Sequence, residues 1–322
     1  MSGLMAARQL LSIGEVKLLD KREQVGGRLI TRPVGPGLAD LGAQFFTVHT
    51  PEFESLTVPW LADGVIEQWV TGWSDASLTN ITAKTYRRYI VKQGMSQLAQ
   101  YLAQSLAVDT GASVERVVRN ENIWEVHTSN NDRYACRALL LTPPVPLSIH
   151  LLQAGQVALS SSDLAALQTV TYDPCLVAAF WLDGETKLPG LGAIQLPNGP
   201  IRYLVDNRRK GISPNATIVT VQADTTYSRQ LWDVDDEDIL ENFRVELRTY
   251  LLPDTKIIES RLHRWRYAIP LKLHPQLCLV AADLPPLAFA GDAFGTLRGI
   301  EGAALSGLAA GQMLISLLRN ND

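Results

Sequence analysis

The sequence has little of what builds the common reactive centres. Its three cysteines, Cys136, Cys175 and Cys278, are far apart, form no CxxC pair and sit in apolar, strand-like contexts. That usage suits buried thiols in a reducing compartment and offers no disulfide framework. The five histidines, His49, His127, His150, His263 and His274, show no HxxxH or HxH spacing, and no serine lies in a GxSxG turn. Zinc chemistry and nucleophilic triads are therefore not expected, and no metal site is assigned. A net charge of −4 without a long basic run argues against nucleic acid and anionic membrane surfaces as partners. No apolar run reaches the roughly 18 to 20 residues of a membrane helix, and MSGLMAARQLLSIG lacks a basic start and a small-residue cleavage site. A cytoplasmic protein without a membrane span is the expectation.

The most informative stretch lies near the C-terminus. A short apolar strand, Leu287 to Ala290, runs into Gly291-Asp292 and then through a glycine-bearing turn to a long helix opening near Gly299. A carboxylate delivered beside a helix N-terminus makes a polar, nucleotide-sized site, because the acid accepts from hydroxyls and the free N–H groups meet electron-rich atoms. Ala303, Ala304, Gly307 and Gly311 recur at helical spacing. This seam permits close approach to something flat or to a sheet, although an ordinary core helix has the same pattern.

At the other end, Leu4, Ala7, Leu10 and Leu11 predict a helix that stops at Gly14. A strand from Val16 to Leu19 ends at Asp20 and is followed by Gly26-Gly27-Arg28. This is the order of the back half of a dinucleotide-binding βαβ unit, whose strand-terminal acid holds ribose hydroxyls. Gly3 then reads as the last glycine of a G-x-G-x-x-G turn; either translation starts here or, the reading favoured, the start was assigned to an internal Met. The paired glycines let the main chain approach a pyrophosphate, and Arg28 offers it a planar fork.

Between the ends, Trp60, Trp69 and Trp73 cluster with Phe53, Tyr86 and Tyr89 without clean periodicity, either as core or as the wall of a pocket for a planar substrate. A helix is expected over 97–106 and strand-turn-strand over 108–118, with 124–128 pairing beyond it. A buried strand over 138–141 ends at Thr142-Pro143-Pro144, where two prolines stop helix and ladder alike. From Pro146 to about Asp283 the pattern is strands and one helix, Asp235 to Leu251, which suits an antiparallel sheet with covering helices.

The order helix, strand-acid, GGR and DLGAQFF (residues 40–46), with the closing AGDAF and RGIEGAALSG, resembles the flavin-dependent amine oxidase superfamily and, within it, the renalase-like group. The resemblance covers most of the chain and implies an α/β fold of the p-hydroxybenzoate hydroxylase and amine oxidase type. A discontinuous Rossmann-like FAD-binding domain would take residues 1–48, 92–147 and 284–322. An antiparallel-sheet substrate domain of α+β character would take 49–91 and 148–283. The resemblance further implies FAD contacts from Gly3, Asp20, Lys21, Gly27, Arg28, Gly42, Ala43, Gln44, Phe45, Val114, Thr142, Trp265, Gly291, Asp292, Ile300 and Glu301. Val114 would lie against the adenine, Asp292 near the ribityl chain, and the N–H groups around Ile300 and Glu301 at the flavin N1/O2 edge. No cysteine occurs over 293–298, so the FAD is expected to be non-covalent, and no catalytic residue is assigned. The implied activity is hydride transfer from a small molecule, an isomeric dihydronicotinamide dinucleotide, to flavin N5, with O2 reduced to H2O2. An amine oxidase, an isoprenoid desaturase or isomerase, and a non-catalytic flavoprotein remain alternatives.

Overall fold

The computed structural model describes residues 1–74 and 81–320, and the side chains of those outside 71–85. The chain forms two compact units, Met1–Gly27 with Ala99–Thr171 and Pro270–Asp322, and Arg28–Leu98 with Tyr172–Ile269. Residues 28–48, grouped with the cofactor-binding part on sequence, pack within the second unit.

The first unit is organised by its terminal helices. Helix Ser2–Leu10 buries Leu4, Met5, Ala6 and Ala7, and it packs along helix Gly299–Asn320. The small-residue seam of the latter makes this contact. A Cβ added at Gly307 would stand 2.2 Å from the Ser2 carbonyl oxygen, and one at Gly311 would stand 3.2 Å from the Ala6 Cα. The flat partner anticipated for the seam is thus, at these two positions, another helix. Under them lie parallel strand pairs: Lys17–Asp20 with Ala107–Thr110, and Leu139–Leu141 with Leu287–Phe289. A three-stranded antiparallel meander follows, Val114–Asn120, Ile123–Thr128 and Arg133–Cys136. Trp124 anchors it, fully buried, with its indole N–H donated to the Pro286 carbonyl at 3.1 Å.

Helix Gly299–Asn320 corrects the expectation that no segment is long and apolar enough to span a membrane. By length and composition it is, and among the described residues it is the one helix that qualifies; 61% of its most apolar window is buried inside the protein. Burial of this kind is what a core helix requires.

The second unit is built on an eight-stranded sheet ordered Lys256–Lys272, Thr171–Asp183, Thr217–Ala223, Ile201–Asp206, Ala193–Gln195, Ile66–Ser74, Ile81–Val91 and Phe46–Thr47. From Thr171–Asp183 to Phe46–Thr47 the pairings are antiparallel except for one parallel contact, Ile194 with Ser74. Strand Thr171–Asp183 is apolar on both sides because both faces are covered. Leu176, Ala178, Phe180 and Leu182 meet Ile239, Phe243 and Leu247 of helix Asp236–Arg248, while Cys175, Val177 and Ala179 meet Val34, Ala39 and Leu41.

Pro146 to Asp283 holds more than the one helix expected: Val145–Ala154, Ser161–Gln168 and Thr225–Gln230 join Asp236–Arg248. The strand does end before the two prolines, as expected, and the first of these helices then starts on them, with Pro144 as its N-cap and another proline in the opening turn. A proline there forfeits no helical hydrogen bond. Helix Pro51–Ala62 was equally hidden. Thr50 caps it by accepting from the Phe53 N–H at 3.2 Å, and its Phe53 and Trp60 stand 5.9 and 6.4 Å from the Phe46 ring. With Tyr89 stacked 5.6 Å away on Phe46, these aromatics are core. Trp69 is only half-buried, Tyr86 is exposed, and the Trp73 side chain lies outside those described.

Candidate functional site

In the first unit, strand Lys17–Asp20 stops where Asp20 Oδ1 accepts the Arg22 N–H at 2.9 Å, an Asx-type turn. The Asp20 carbonyl accepts from Ala112 N–H at 3.0 Å and the Arg22 carbonyl from Gly111 N–H at 2.8 Å. The acid is thereby tied to the loop leading into Val114. Gly27 follows with φ +57°, and its missing side chain points into open space, which leaves the backbone approachable. Lys21 is exposed beside this turn. Gly3 sits in the first turn of its helix facing Thr142, whose Oγ1 lies 3.5 Å from the Cβ position of Gly3.

The C-terminal motif is pinned on both sides. Ala290 N–H donates to the Leu141 carbonyl at 3.1 Å, and Gly291 N–H to Ser306 Oγ at 2.9 Å. Asp292, Ile300 and Glu301 are buried. Gly299 opens the last helix at φ +72° with nothing within 4 Å of its Cβ position, whereas a Cβ on Gly302 would meet the Leu297 carbonyl oxygen at 2.0 Å. A tight turn thus presents a 22-residue helix by its N-terminus, with an open approach at Gly299. The partial positive charge there suits an electron-rich ligand.

The second unit holds the remaining residues implied by the resemblance, in one linked strip. Arg28 Nη1 donates to the Ala268 carbonyl at 2.8 Å, and the Arg28 carbonyl accepts from Ala43 N–H at 3.0 Å. Gly42 is obligatory, because its Cβ position is 1.9 Å from the Arg28 carbonyl oxygen. Trp265 donates its indole N–H to the Leu41 carbonyl at 2.7 Å. Gln44 Nε2 donates to the Asp40 carbonyl at 2.7 Å, and Gln222 Nε2 to the Gly42 carbonyl at 2.7 Å.

Beneath this strip is an ion pair that sequence reasoning missed. Asp40 Oδ2 meets Lys210 Nζ at 2.6 Å, with both side chains fully buried. Its Oδ1 accepts from Thr31 Oγ1 at 2.6 Å and from Met95 N–H at 2.9 Å. Burial pulls the Lys210 pKa below its ordinary value and the Asp40 charge opposes this. Next to the pair, Phe45 neighbours Trp69 at 6.2 Å and Tyr203 at 6.3 Å. The Arg88 guanidinium lies 5.5 Å over the Phe45 ring, and Arg202 lies 5.9 Å over Tyr203.

The family model for flavin containing amine oxidoreductases matches residues 1–58 and 66–315. Among solved structures, a protein assigned as a protoporphyrinogen oxidase from Exiguobacterium sp. 255-15 superposes with a TM-score of 0.73 at 12% identity, covering 99% of this chain and 96% of its own. Wild-type putrescine oxidase bound to putrescine gives a TM-score of 0.69 at 15% identity, covering 98% of this chain and 97% of its own. At such identities these two likenesses speak to the fold.

Proposed function

The chain belongs to the flavin containing amine oxidoreductase family, and on that premise we propose that it is an FAD-dependent oxidase of isomeric dihydronicotinamide dinucleotides. The donor loses a hydride, and O2, taking that hydride's two electrons and proton together with one proton from solvent, leaves as H2O2. When bound, the flavin supplies the hydride acceptor. The observation that carries this reading is the pairing, in one unit, of strand-terminal Asp20 with a helix N-terminus whose Gly299 faces open space.

Asp20 would hold ribose hydroxyls, with Lys21, Gly3, Gly27 and Thr142 toward the pyrophosphate and Val114 toward the adenine. Gly291 and Asp292 would hold the ribityl end. Ile300 and Glu301 would set the helix N–H groups against the flavin pyrimidine edge. Non-covalent binding is in keeping with the absence of cysteine over 293–298. A dihydronicotinamide drives hydride loss from its own ring nitrogen, so positioning by the protein dominates and no general base is required. The three free thiols favour a cytoplasmic setting.

Purified protein should take up FAD and show its yellow absorbance. Under anaerobic conditions an isomeric dihydronicotinamide dinucleotide should bleach it, and admitted O2 should restore the colour with one peroxide per turnover. Bleaching by simple amines instead would make the protein an amine oxidase. A protein that takes up no FAD would end the enzymatic reading altogether.

A further inference from the structure

We propose that Asn198 is a site of spontaneous deamidation, at which water converts the asparagine to aspartate and isoaspartate in the loop joining strands Ala193–Gln195 and Ile201–Asp206. The site lies wholly within the second unit and is independent of the oxidase reading. Asn198-Gly199 is the one Asn-Gly step in the sequence. The reaction requires the main-chain nitrogen of the following residue to reach the asparagine side-chain carbonyl carbon, and a glycine leaves that nitrogen unshielded by any Cβ.

The fold keeps both reacting groups free. Asn198 and Gly199 are exposed in the loop, the kind of segment least held by its surroundings. Neither the Gly199 N–H nor the Asn198 carboxamide has a hydrogen-bond partner among the described residues. Gly199 has φ +102° and nothing within 4 Å of its Cβ position, so no neighbour blocks ring closure there. The ends of the loop, by contrast, are fixed: Leu196 N–H donates to the Arg202 carbonyl at 3.0 Å, and Asp224 N–H to the Pro200 carbonyl at 2.8 Å. Arg202 Nη1 also donates to the Leu196 and Pro197 carbonyls at 3.4 and 3.5 Å. A cation thus stands at the peptide bond entering Asn198, where it favours both the amide anion that attacks and the carboxylate that results.

Other exposed asparagines lack these conditions. Asn215 precedes Ala216, which carries a Cβ and whose N–H donates to the Ser213 carbonyl at 3.5 Å. Asn130 precedes Asn131, whose N–H donates to the Thr128 carbonyl at 3.0 Å. At Asn198 the Gly199 nitrogen bonds to Cγ, the Cγ–Nδ2 bond breaks, and ammonia leaves with the proton from Gly199, closing a succinimide. Water then opens one of the two carbonyl–nitrogen bonds. Opening at Cγ gives aspartate; opening at the main-chain carbonyl gives isoaspartate, whose main chain runs through Cβ.

Peptide mass spectrometry on intact protein, held for days in neutral buffer at physiological temperature, tests the site. The peptide carrying Asn198 should gain the mass difference between OH and NH2 and split into aspartyl and isoaspartyl forms, the latter accepting a methyl group from a protein isoaspartyl methyltransferase. The Asn215 peptide should stay unchanged over the same interval. Conversion at Asn198 should run within about tenfold of its rate in the guanidinium-unfolded chain, because an unbonded loop needs little opening. Asn198→Gln should abolish the isoaspartate signal, since closure from the longer side chain needs a larger ring. An Asn198 that stays intact in the folded protein after the unfolded chain has converted, equal conversion at Asn215, or an isoaspartate signal unchanged in Asn198→Gln would overturn the proposal.

Discussion

Lys210 Nζ lies 2.6 Å from Asp40 Oδ2 across 170 residues of sequence, and neither side chain reaches solvent. The pair fixes the base of the DLGAQFF strip, since the same carboxylate also accepts from Thr31 and Met95. Removing one partner strands the other charge in the interior. Lys210→Met and Asp40→Asn should each cost about 3 to 5 kcal/mol in urea denaturation, and the double variant should cost less than the sum. An additive double variant would show that the two charges do not support each other.

At Gly307 the helices Ser2–Leu10 and Gly299–Asn320 lie so close that a Cβ would stand 2.2 Å from the Ser2 carbonyl oxygen. Gly307→Ala must push the helices apart and should destabilise the protein by about 1 to 3 kcal/mol. Alanine at Gly190, whose Cβ position has nothing within 4 Å, should leave the melting temperature almost unchanged. Thermal unfolding of the two variants side by side measures the difference.

Trp265 and Asp20 are tested by both folding stability and cofactor affinity. Trp265→Phe removes the indole donor to Leu41 and should cost about 1 kcal/mol of folding stability. Asp20→Ala loses the carboxylate proposed for the ribose and should weaken FAD binding about tenfold or more. Titration of flavin fluorescence against each variant reads the affinity directly.

The thiols give a pH-dependent signal. Burial pushes Cys136 up to about 11, and burial with the Asp224 charge pushes Cys175 up to about 12. At pH 8 both stay protonated, so each should react with a disulfide reagent at least about a hundredfold more slowly than in urea. Their pKa values are raised in the folded state, so the stability they contribute is full below the unfolded thiol pKa. It falls as pH rises from there through 11 to 12. Denaturation midpoints between pH 8 and pH 11 should decline accordingly.

The terminal elements were readable because their signals are local. Leu4 to Leu10 carry a helical period, Asp20 follows a strand, and Gly299 opens a long apolar helix; each was found close to its observed place. Helix Pro51–Ala62 was not found, because Pro59 interrupts it and Phe53 and Trp60 show their spacing only once Phe46 and Tyr89 close around them. Lys210 was invisible for a different reason. In Arg208-Arg209-Lys210-Gly211 it has the look of a solvated basic turn, and only the fold brings it to Asp40. The strip around Gly42 was noticed through resemblance, but its reason, the Arg28 carbonyl in the place of a side chain, is tertiary.

The helix pair formed by Ser2–Leu10 and Gly299–Asn320 also sets a timetable. At ordinary synthesis rates of about 5 to 20 residues per second, the first helix leaves the ribosome roughly 15 to 60 s before its partner is made. Through that interval Ser2 and Ala6 have no Gly307 or Gly311 to lie against. Completion of the first unit therefore waits until the second of these helices has been made.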